Sequence, residues 1–356
     1  MKYTEMLNVC KNVNSSNASK KVVVVGDYFL DKYVYMKDSD TGESLYTGKP
    51  AYVVRATRTS PGAAGTVAKN LANLGIGTIY AMGYRGDDGD GFSLDHDLRR
   101  LGINTDNLFV LEHFSTPSYT MIMRDSGNGY VEEGEASVQN FQHTSVCVEE
   151  KLISAIDDLV GSEKPDAIIF LDQLDSVDCG VVTHRMRKHI AVLADKYPEL
   201  LIYIDSRKHI ADVDNRAIRK CNENEFMRAF SHSKRLLPVV CAKLSRNSSA
   251  PIIVTLGEAG TVAGIGGELL GASTICHHSK IDTRGAGDAF TSGYISAKLA
   301  GISEEISLVF GNIVASCCVS QIATTGHITV EEIQSLLEKI SISREGEENY
   351  EECQHE

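Results

Sequence analysis

The sequence predicts an α/β protein: a doubly wound, mainly parallel sheet flanked by helices, with a small β-sheet lid subdomain. Three observations predict it. The run from Lys21 to Gly26 is almost pure valine, as expected of a strand buried on both faces of a parallel sheet. From Ala167 onward strand-like and helix-like segments alternate, as βα units do. Residues 33–59 and 118–133 instead carry alternating, aromatic-containing pieces with no helical period. They do not fit such a sheet and read as a separate β-subdomain.

The remaining elements follow in chain order. Pro61 and Gly62 open a helix predicted over Ala64 to Leu74, and Gly75 stops it. A strand over Thr78 to Met82, a turn around Asp87-Asp88-Gly89 and a helix through Leu101 come next. Ser118 to Met123 and Gly129 to Glu133 read as a hairpin. Strands are then predicted at Ala167 to Leu171, Leu201 to Asp205 and Ile252 to Leu256, with a helix over Val181 to Lys196. Ser273 to His278 is strand-like, and helices are predicted over Gly285 to Leu299, Ser303 to Ala323 and Val330 to Ile340. The domain is therefore expected to span 21–340, between a disordered N-terminal tail (1–20) and an acidic, disordered tail (341–356) that lacks core residues.

Composition narrows the function. With 356 residues, 42% of them hydrophobic and 23% charged, the chain can bury one large α/β core. A net charge of −13 supplies no basic footprint for a nucleic-acid backbone. Met1 to Lys21 is polar, and Val22 to Val25 is too short for the apolar part of a signal peptide. No stretch reaches the length of a membrane span. The nine cysteines include no Cys-x-x-Cys pair, which argues against zinc or dithiol chemistry. A reduced, cytoplasmic protein is expected.

Three segments carry candidate chemistry. Ile281-Asp282-Thr283-Arg284-Gly285-Ala286-Gly287-Asp288 leads into a helix at its glycines. Small residues there let backbone N–H groups converge on an anion at a helix N-terminus. Asp288, in the first turn, would stand beside that anion, placed to take a proton from an attacking hydroxyl. Alone, the segment also reads as a glycine-rich turn whose aspartate serves the helix dipole. Thr255-Leu256-Gly257-Glu258-Ala259-Gly260 ends an apolar strand in a turn that lets backbone approach a nucleotide, or is a simple β-turn. Asn222 and Glu225 lie three apart. They either hold a water shell around Mg2+ or form a capping box.

These segments, in this order, resemble the ribokinase-like, or PfkB, carbohydrate kinases from about Lys21 to Ile340. The resemblance implies Gly285, Ala286 and Gly287 as an anion hole and Asp288 as the catalytic base. It implies ATP contacts at Thr255, Gly257 and Gly260, and Asn222 and Glu225 near Mg2+ and phosphate, with Glu225 acting through water. Asn312 and the Thr325-Gly326 turn would lie near the adenine. ATP and Mg2+ are the implied cofactors, and a monovalent cation is admitted. In relatives two lids often pair, so a homodimer is expected.

Within the family the opening is most similar to the heptose 7-phosphate kinases. Gly26-Asp27-Tyr28-Phe29-Leu30-Asp31-Lys32-Tyr33 is close to their Gly-Asp-x-x-Leu-Asp-x-Tyr start, which makes Asp31 a ligand of substrate hydroxyls. Pro61-Gly62-Ala63-Ala64-Gly65-Thr66-Val67-Ala68 matches their Pro-Gly-Gly-Ala-Ala-Asn-Val-Ala but departs from it. Ala63 stands for the second glycine and Thr66 for the substrate-binding asparagine. Threonine offers one hydroxyl where an amide both donates and accepts, so the pattern does not name the acceptor. Asp205-Ser206-Arg207-Lys208 replaces Asp-Pro-Lys and keeps positive charge, for a substrate phosphate or for solvent. Arg124 either reaches the substrate from the lid or is a solvated surface arginine. The expected activity is ATP-dependent phosphorylation of a sugar or sugar-phosphate hydroxyl. A nucleoside kinase and a non-catalytic sugar- or nucleotide-binding sensor stand as alternatives. A dinucleotide oxidoreductase is disfavoured, because no Gly-x-Gly-x-x-Gly follows the first strand.

Overall fold

The structure is a computed structural model, which describes residues 3–37, 40–127, 129–140, 142–275, 282–321 and 328–339. It opens with α1 (Tyr3–Asn17), β1 (Lys21–Gly26) and β2 (Tyr28–Lys37). The short strands β3 (Gly42–Glu43) and β4 (Pro50–Ala51) precede β5 (Val54–Ala63), which runs directly into α2 (Ala64–Asn73). Next come β6 (Thr78–Gly86), α3 (Gly89–Arg100), β7 (Asn104–Leu111), β8 (Ser118–Asp125) and β9 (Tyr130–Val138). The alternating half comprises α4 (Val146–Glu163), β10 (Ala167–Asp172), α5 (His184–Lys196), β11 (Leu201–Ser206), β12 (Ile218–Asn222), α6 (Glu223–Phe230), α7 (Leu237–Ser245) and β13 (Ile252–Thr255). The hairpin β14 (Thr261–Ile265) and β15 (Glu268–Ala272) follows, then α8 (Ala286–Leu299), α9 (Glu304–Val319) and α10 (330–339).

Nine strands form the main sheet in the order β15-β14-β13-β12-β11-β10-β1-β6-β7. Every pair from β13 to β7 is parallel, and only the β13-β14-β15 edge is antiparallel. The valines of β1 explain why that strand is central. Val22 and Val24 join the core that includes Phe290 and Tyr294 of α8, while Val23 and Val25 join the core on the other face. All four are fully buried, so alternate side chains of one strand stitch both helical layers to the sheet. Chain order reverses beside β1: it steps to β6 and β7 on one side and to β10 and onward on the other. In open α/β sheets ligands bind outside the strands' carboxyl ends at such a switch point. There the Asp27 carboxylate accepts hydrogen bonds from the Gln173 N–H (3.2 Å) and the Val181 N–H (2.9 Å).

The small sheet, ordered β5-β2-β8-β9, forms the lid. It is antiparallel except at its central β2–β8 pair. Its strands start earlier and end later than expected, at Tyr28, Ala63 and Val138.

Three expectations are corrected. The chain start is not a tail: residues 3–17 form a helix. It packs on α8: its Met6, Cys10 and Val13 are buried in one cluster with Ala289 and Ala297 of that helix, and buried Asn17 donates to the Ser296 carbonyl at 3.1 Å. The helix is polar on average, but spacings of four and three put its few apolar residues on one stripe. Ser273 to Ile275 is not strand; the ladder ends at Ala272, and residues 276–278 lie outside the described residues. Helix α9 stops at Val319. The acidic 341–356 segment and Gly326 also lie outside the described residues. Among the described residues, no helix is long and apolar enough to cross a membrane.

Candidate active site

A cavity of about 610 Å³ opens at the carboxyl ends of β11, β12 and β13, bounded by the start of α8. Its phosphate-sized end is built by backbone. Gly285 takes the left-handed conformation (φ 73°) as the N-cap of α8 with no side-chain cap, and the Ala286 N–H donates to the Thr283 carbonyl at 3.2 Å. The positive end of a 14-residue helix with no side-chain cap suits an anion. Gly287 must be glycine for a local reason: a Cβ there would lie 2.9 Å from the Lys220 ammonium.

Lys220 is the residue that sequence reasoning quoted without giving it a role. It sits in β12 and is 4% exposed, and its Nζ donates to Asp205 Oδ2 at 2.6 Å. Burial opposes its charge, but the Asp205 carboxylate outweighs burial and keeps its pKa raised. The signal was visible: Arg219 and Lys220 are consecutive cations in a strand whose neighbours are apolar, and lysine is almost never fully buried unless paired.

Asp288 lies in the first turn of α8 and faces the cavity. Burial, then the Asp205 charge, push its carboxyl up to about 7, against the pull of Lys220 and Arg207. A carboxylate poised near neutrality suits proton abstraction from a hydroxyl.

The strand-to-hairpin turn reaches the same cavity. Thr255, Gly257 and Gly260 line it. Both glycines have positive φ (60° and 87°), and a Cβ on Gly260 would lie 2.2 Å from the Ala272 carbonyl. Only glycine closes this turn against the β15 end. Asn312 also lines the cavity, yet its amide is engaged. It donates to the Ala272 (2.8 Å) and Ser273 (3.2 Å) carbonyls and accepts from Thr261 Oγ1 (2.7 Å). It pins α9 to the hairpin.

Asn222 and Glu225 realise the capping reading. Asn222 Oδ1 accepts from the Glu225 N–H at 2.9 Å, and Glu225 Oε2 accepts from the Asn222 N–H at 2.7 Å. Both still line the cavity. Burial and the Asp205 charge raise the Glu225 pKa. Among the described residues no cluster of three metal-ligating side chains occurs. The donors here suit a cation that arrives with phosphates and waters rather than one caged by protein.

The acceptor candidates stand beside this cavity rather than on its wall. Asp31 of β2 is buried (6% exposed) and pairs in register with Ser60. A Cβ on Gly62 would lie 2.5 Å from Asp31 Oδ2, which is why that position is glycine. Asp31 adds to the raised pKa of Asp288, so the two carboxylates share one field. Ala63 carries the strained backbone (φ 51°, ψ −117°) at the start of α2. Thr66 is 2% exposed and bonds the Pro61 carbonyl at 3.3 Å, so its hydroxyl is partly committed to the fold.

Sequence reasoning missed Lys69, one helical turn beyond Thr66. It is 5% exposed, donates to Ser60 Oγ at 2.9 Å and feels both Asp31 and Asp288. Burial lowers its pKa to about 8, against those carboxylates. Arg124 does not reach this region: it pairs with Glu133 across the lid hairpin.

The glycine-rich start of α8, a carboxyl of raised pKa and the Thr255–Gly260 turn thus meet on one cavity. The sequence pattern of the pfkB family carbohydrate kinases matches residues 19–330, and the chain belongs to that family. It is 26% identical over 339 residues to the bifunctional protein HldE of Magnetococcus marinus, a match covering 91% of this chain and 65% of that protein. The HldE of Sulfurimonas denitrificans is 25% identical over 341 residues, covering 90% and 65%. The chain thus spans just under two thirds of these relatives' length. Among solved structures, Arabidopsis thaliana ribokinase complexed with ribose and ATP has a similar fold (TM-score 0.61, 20% identity, 90% and 99% of the two chains). So does Escherichia coli phosphofructokinase-2 (TM-score 0.65, 14% identity, 91% and 99%).

Proposed function

We propose that the protein transfers the γ-phosphate of ATP to a hydroxyl of a sugar or sugar phosphate, with Asp288 as general base. The observation that carries this reading is Asp288 in the first turn of an uncapped helix, beside the buried Lys220–Asp205 pair. The N–H groups of Gly285, Ala286 and Gly287 hold the transferring phosphoryl group, and Lys220 beneath Gly287 adds positive charge. The Thr255–Gly260 turn takes the nucleotide, with Asn312 toward the adenine. Gly62, Ala63 and Thr66 shape the pocket in which Asp31 orients the acceptor hydroxyl, and Asp288 takes its proton. Mg2+, held through water by Glu225 near Asn222, would neutralise phosphate charge. The kinase domain is taken as 21–340 and the lid excludes water from the transfer.

One observation favours a phosphorylated acceptor. Arg207 is exposed on the cavity wall, has no ion-pair partner among the described residues, and acts on both Asp27 and Asp288. A free guanidinium between the base and the lid side suits a second phosphate. A cytoplasmic homodimer, paired through lid surfaces that expose Tyr52, Val53 and Tyr130, completes the reading.

The test is ATP consumption over free and phosphorylated sugars and nucleosides, with Asp288→Asn as blank. Turnover restricted to sugar phosphates and lost in Arg207→Met supports the proposal. Nucleotide binding without turnover on any acceptor would favour a sensor, and turnover on nucleosides alone would overturn the sugar assignment.

A further inference from the structure

We propose that Arg284 is a positioning residue that latches the far edge of the lid to the anion-binding turn, so that filling the phosphate site fixes the lid. The inference rests on reading the cavity as a phosphoryl-transfer site.

The two outer strands of the lid are tied down differently. On the β5 side, Thr59 Oγ1 donates to Asp97 Oδ2 (2.6 Å), and from neighbouring β2 Lys32 Nζ reaches Asp90 Oδ2 (2.7 Å). Both acids belong to α3, so this side is anchored to the main body near the base of the lid. On the opposite side, Glu132 of β9 accepts from Arg284 Nη2 at 2.5 Å. Arg284 immediately precedes the left-handed Gly285 that begins the anion hole.

The guanidinium has a second hold. Arg284 Nη2 and Nε donate to the two oxygens of Asp282, at 2.9 Å and 3.1 Å. Asp282 is itself fixed: its N–H donates to the Val319 carbonyl (2.9 Å), and its carboxylate accepts the Arg284 N–H (3.1 Å). The Arg284 carbonyl accepts from Cys318 Sγ at 3.6 Å. This turn thus presents one arginine to two carboxylates, one in the turn itself and one in the lid. An anion that orders the Gly285–Gly287 amides orders the backbone carrying this side chain. Arg284 and Glu132 are each about one third exposed (37% and 33%). Such a pair is screened and readily broken, as a latch that opens in every turnover must be.

The chain supplies its own control. Glu133, the next residue, pairs with Arg124 inside the lid (2.6 Å), with no ion pair to the turn among the described residues. Removing it takes away a charge of the same kind from the same strand without cutting the tie.

The experiment is hydrogen exchange of the full chain with and without the β,γ-imido analogue of ATP and Mg2+, read over residues 130–138. In the wild type the analogue should slow exchange in β9, by roughly fivefold. In Glu132→Gln and Arg284→Met that slowing should vanish while calorimetry still shows analogue binding. Arg284→Lys, which keeps one donor, should recover part of it, and Glu133→Gln should behave as wild type. Analogue-dependent protection that survives in Glu132→Gln and Arg284→Met overturns the latch, as does equal loss in Glu133→Gln. Binding to the wild type with no change in β9 overturns the latch alone. No binding to the wild type overturns the kinase reading with it.

Discussion

Two uncapped helix N-termini lie side by side at the site, and they carry the same problem with different residues. At α8 the left-handed position is filled by Gly285 (φ 73°), and the turn keeps the family's glycines and its final aspartate. At α2 the corresponding strained position is Ala63 (φ 51°), and Thr66 stands three residues on. Both turns hold an aspartate against a glycine or its neighbour, Asp288 in one and Asp31 in the other. The two turns differ in backbone (ψ 2° at Gly285, −117° at Ala63), and the family's residues are kept only at the α8 turn. Phosphate handling tolerates little change, because its donors are main-chain N–H groups that need that one conformation. Acceptor recognition is done by side chains, which can change while the fold persists.

The sharpest way to break this contrast is to remove the base. Asp288→Asn should lower kcat by about 10²–10⁴-fold in a protein that still binds ATP. Its stability should move the other way. The folded pKa of about 7 lies well above the ordinary value of an aspartate. Stability contributed by this group is therefore full below about pH 4 and lost as pH rises through 7. The asparagine variant should melt higher than wild type at pH 8, with a smaller gap at pH 5. Full turnover in the variant, or a lower melting temperature at pH 8, would contradict the assignment.

Lys220 separates chemistry from packing on the same side. Lys220→Met strands the Asp205 carboxylate in a site where both side chains are nearly inaccessible. Breaking a buried pair from one end costs about 3–5 kcal/mol, read as a large loss in the denaturation midpoint. Adding Asp205→Asn should restore most of that stability without restoring turnover, because the cation under Gly287 is still missing. Recovery of activity in the double variant would make the pair purely structural.

The pH profile is a milder probe. With Asp288 held near 7 by burial and Asp205, kcat/KM should climb with pH up to about 7 and then level off. The acid limb should move down in Asp205→Asn, which removes the carboxylate that raises the base. An acid limb near the ordinary carboxylate range in the wild type would mean that the base is not Asp288.

How much of this was legible follows the same divide. The doubly wound sheet could be read from the Lys21–Gly26 valines because a strand buried on two faces leaves no polar alternation. Asp288 and its glycines could be read because backbone requirements leave few residue choices. Lys220 signals burial by its strand, but its role and that of Lys69 are set by partners on other elements, Asp205 for one and Ser60 with Asp31 for the other. The N-terminal helix was hidden for a related reason. Met6, Cys10 and Val13 form a thin stripe in a polar segment, and its value lies in the α8 surface that it packs on. The capping box at Asn222 and Glu225 shows the opposite case. The local reading was sufficient there, and the same two residues still face the cavity.

The smallest expected effect tests the acceptor helix directly. Ala63 has φ 51° and ψ −117° with no side-chain cap, and its successor's N–H donates to the Asp27 carbonyl at 3.0 Å. That hydrogen bond and the neighbouring Asp31–Gly62 contact fix the turn, so an alanine is held where glycine is at ease. Strain of this kind is worth about 1–3 kcal/mol. Glycine returns roughly 0.4–1 kcal/mol through the freer unfolded chain. Ala63→Gly should therefore stabilise the protein by about 1 kcal/mol, a rise of roughly 2 °C in melting temperature. Turnover at saturating acceptor should change little, since no side chain near the base is altered. A variant that melts lower would show that the methyl group of Ala63 is packed to advantage. The α2 turn would then be fitted to its alanine as the α8 turn is fitted to its glycine.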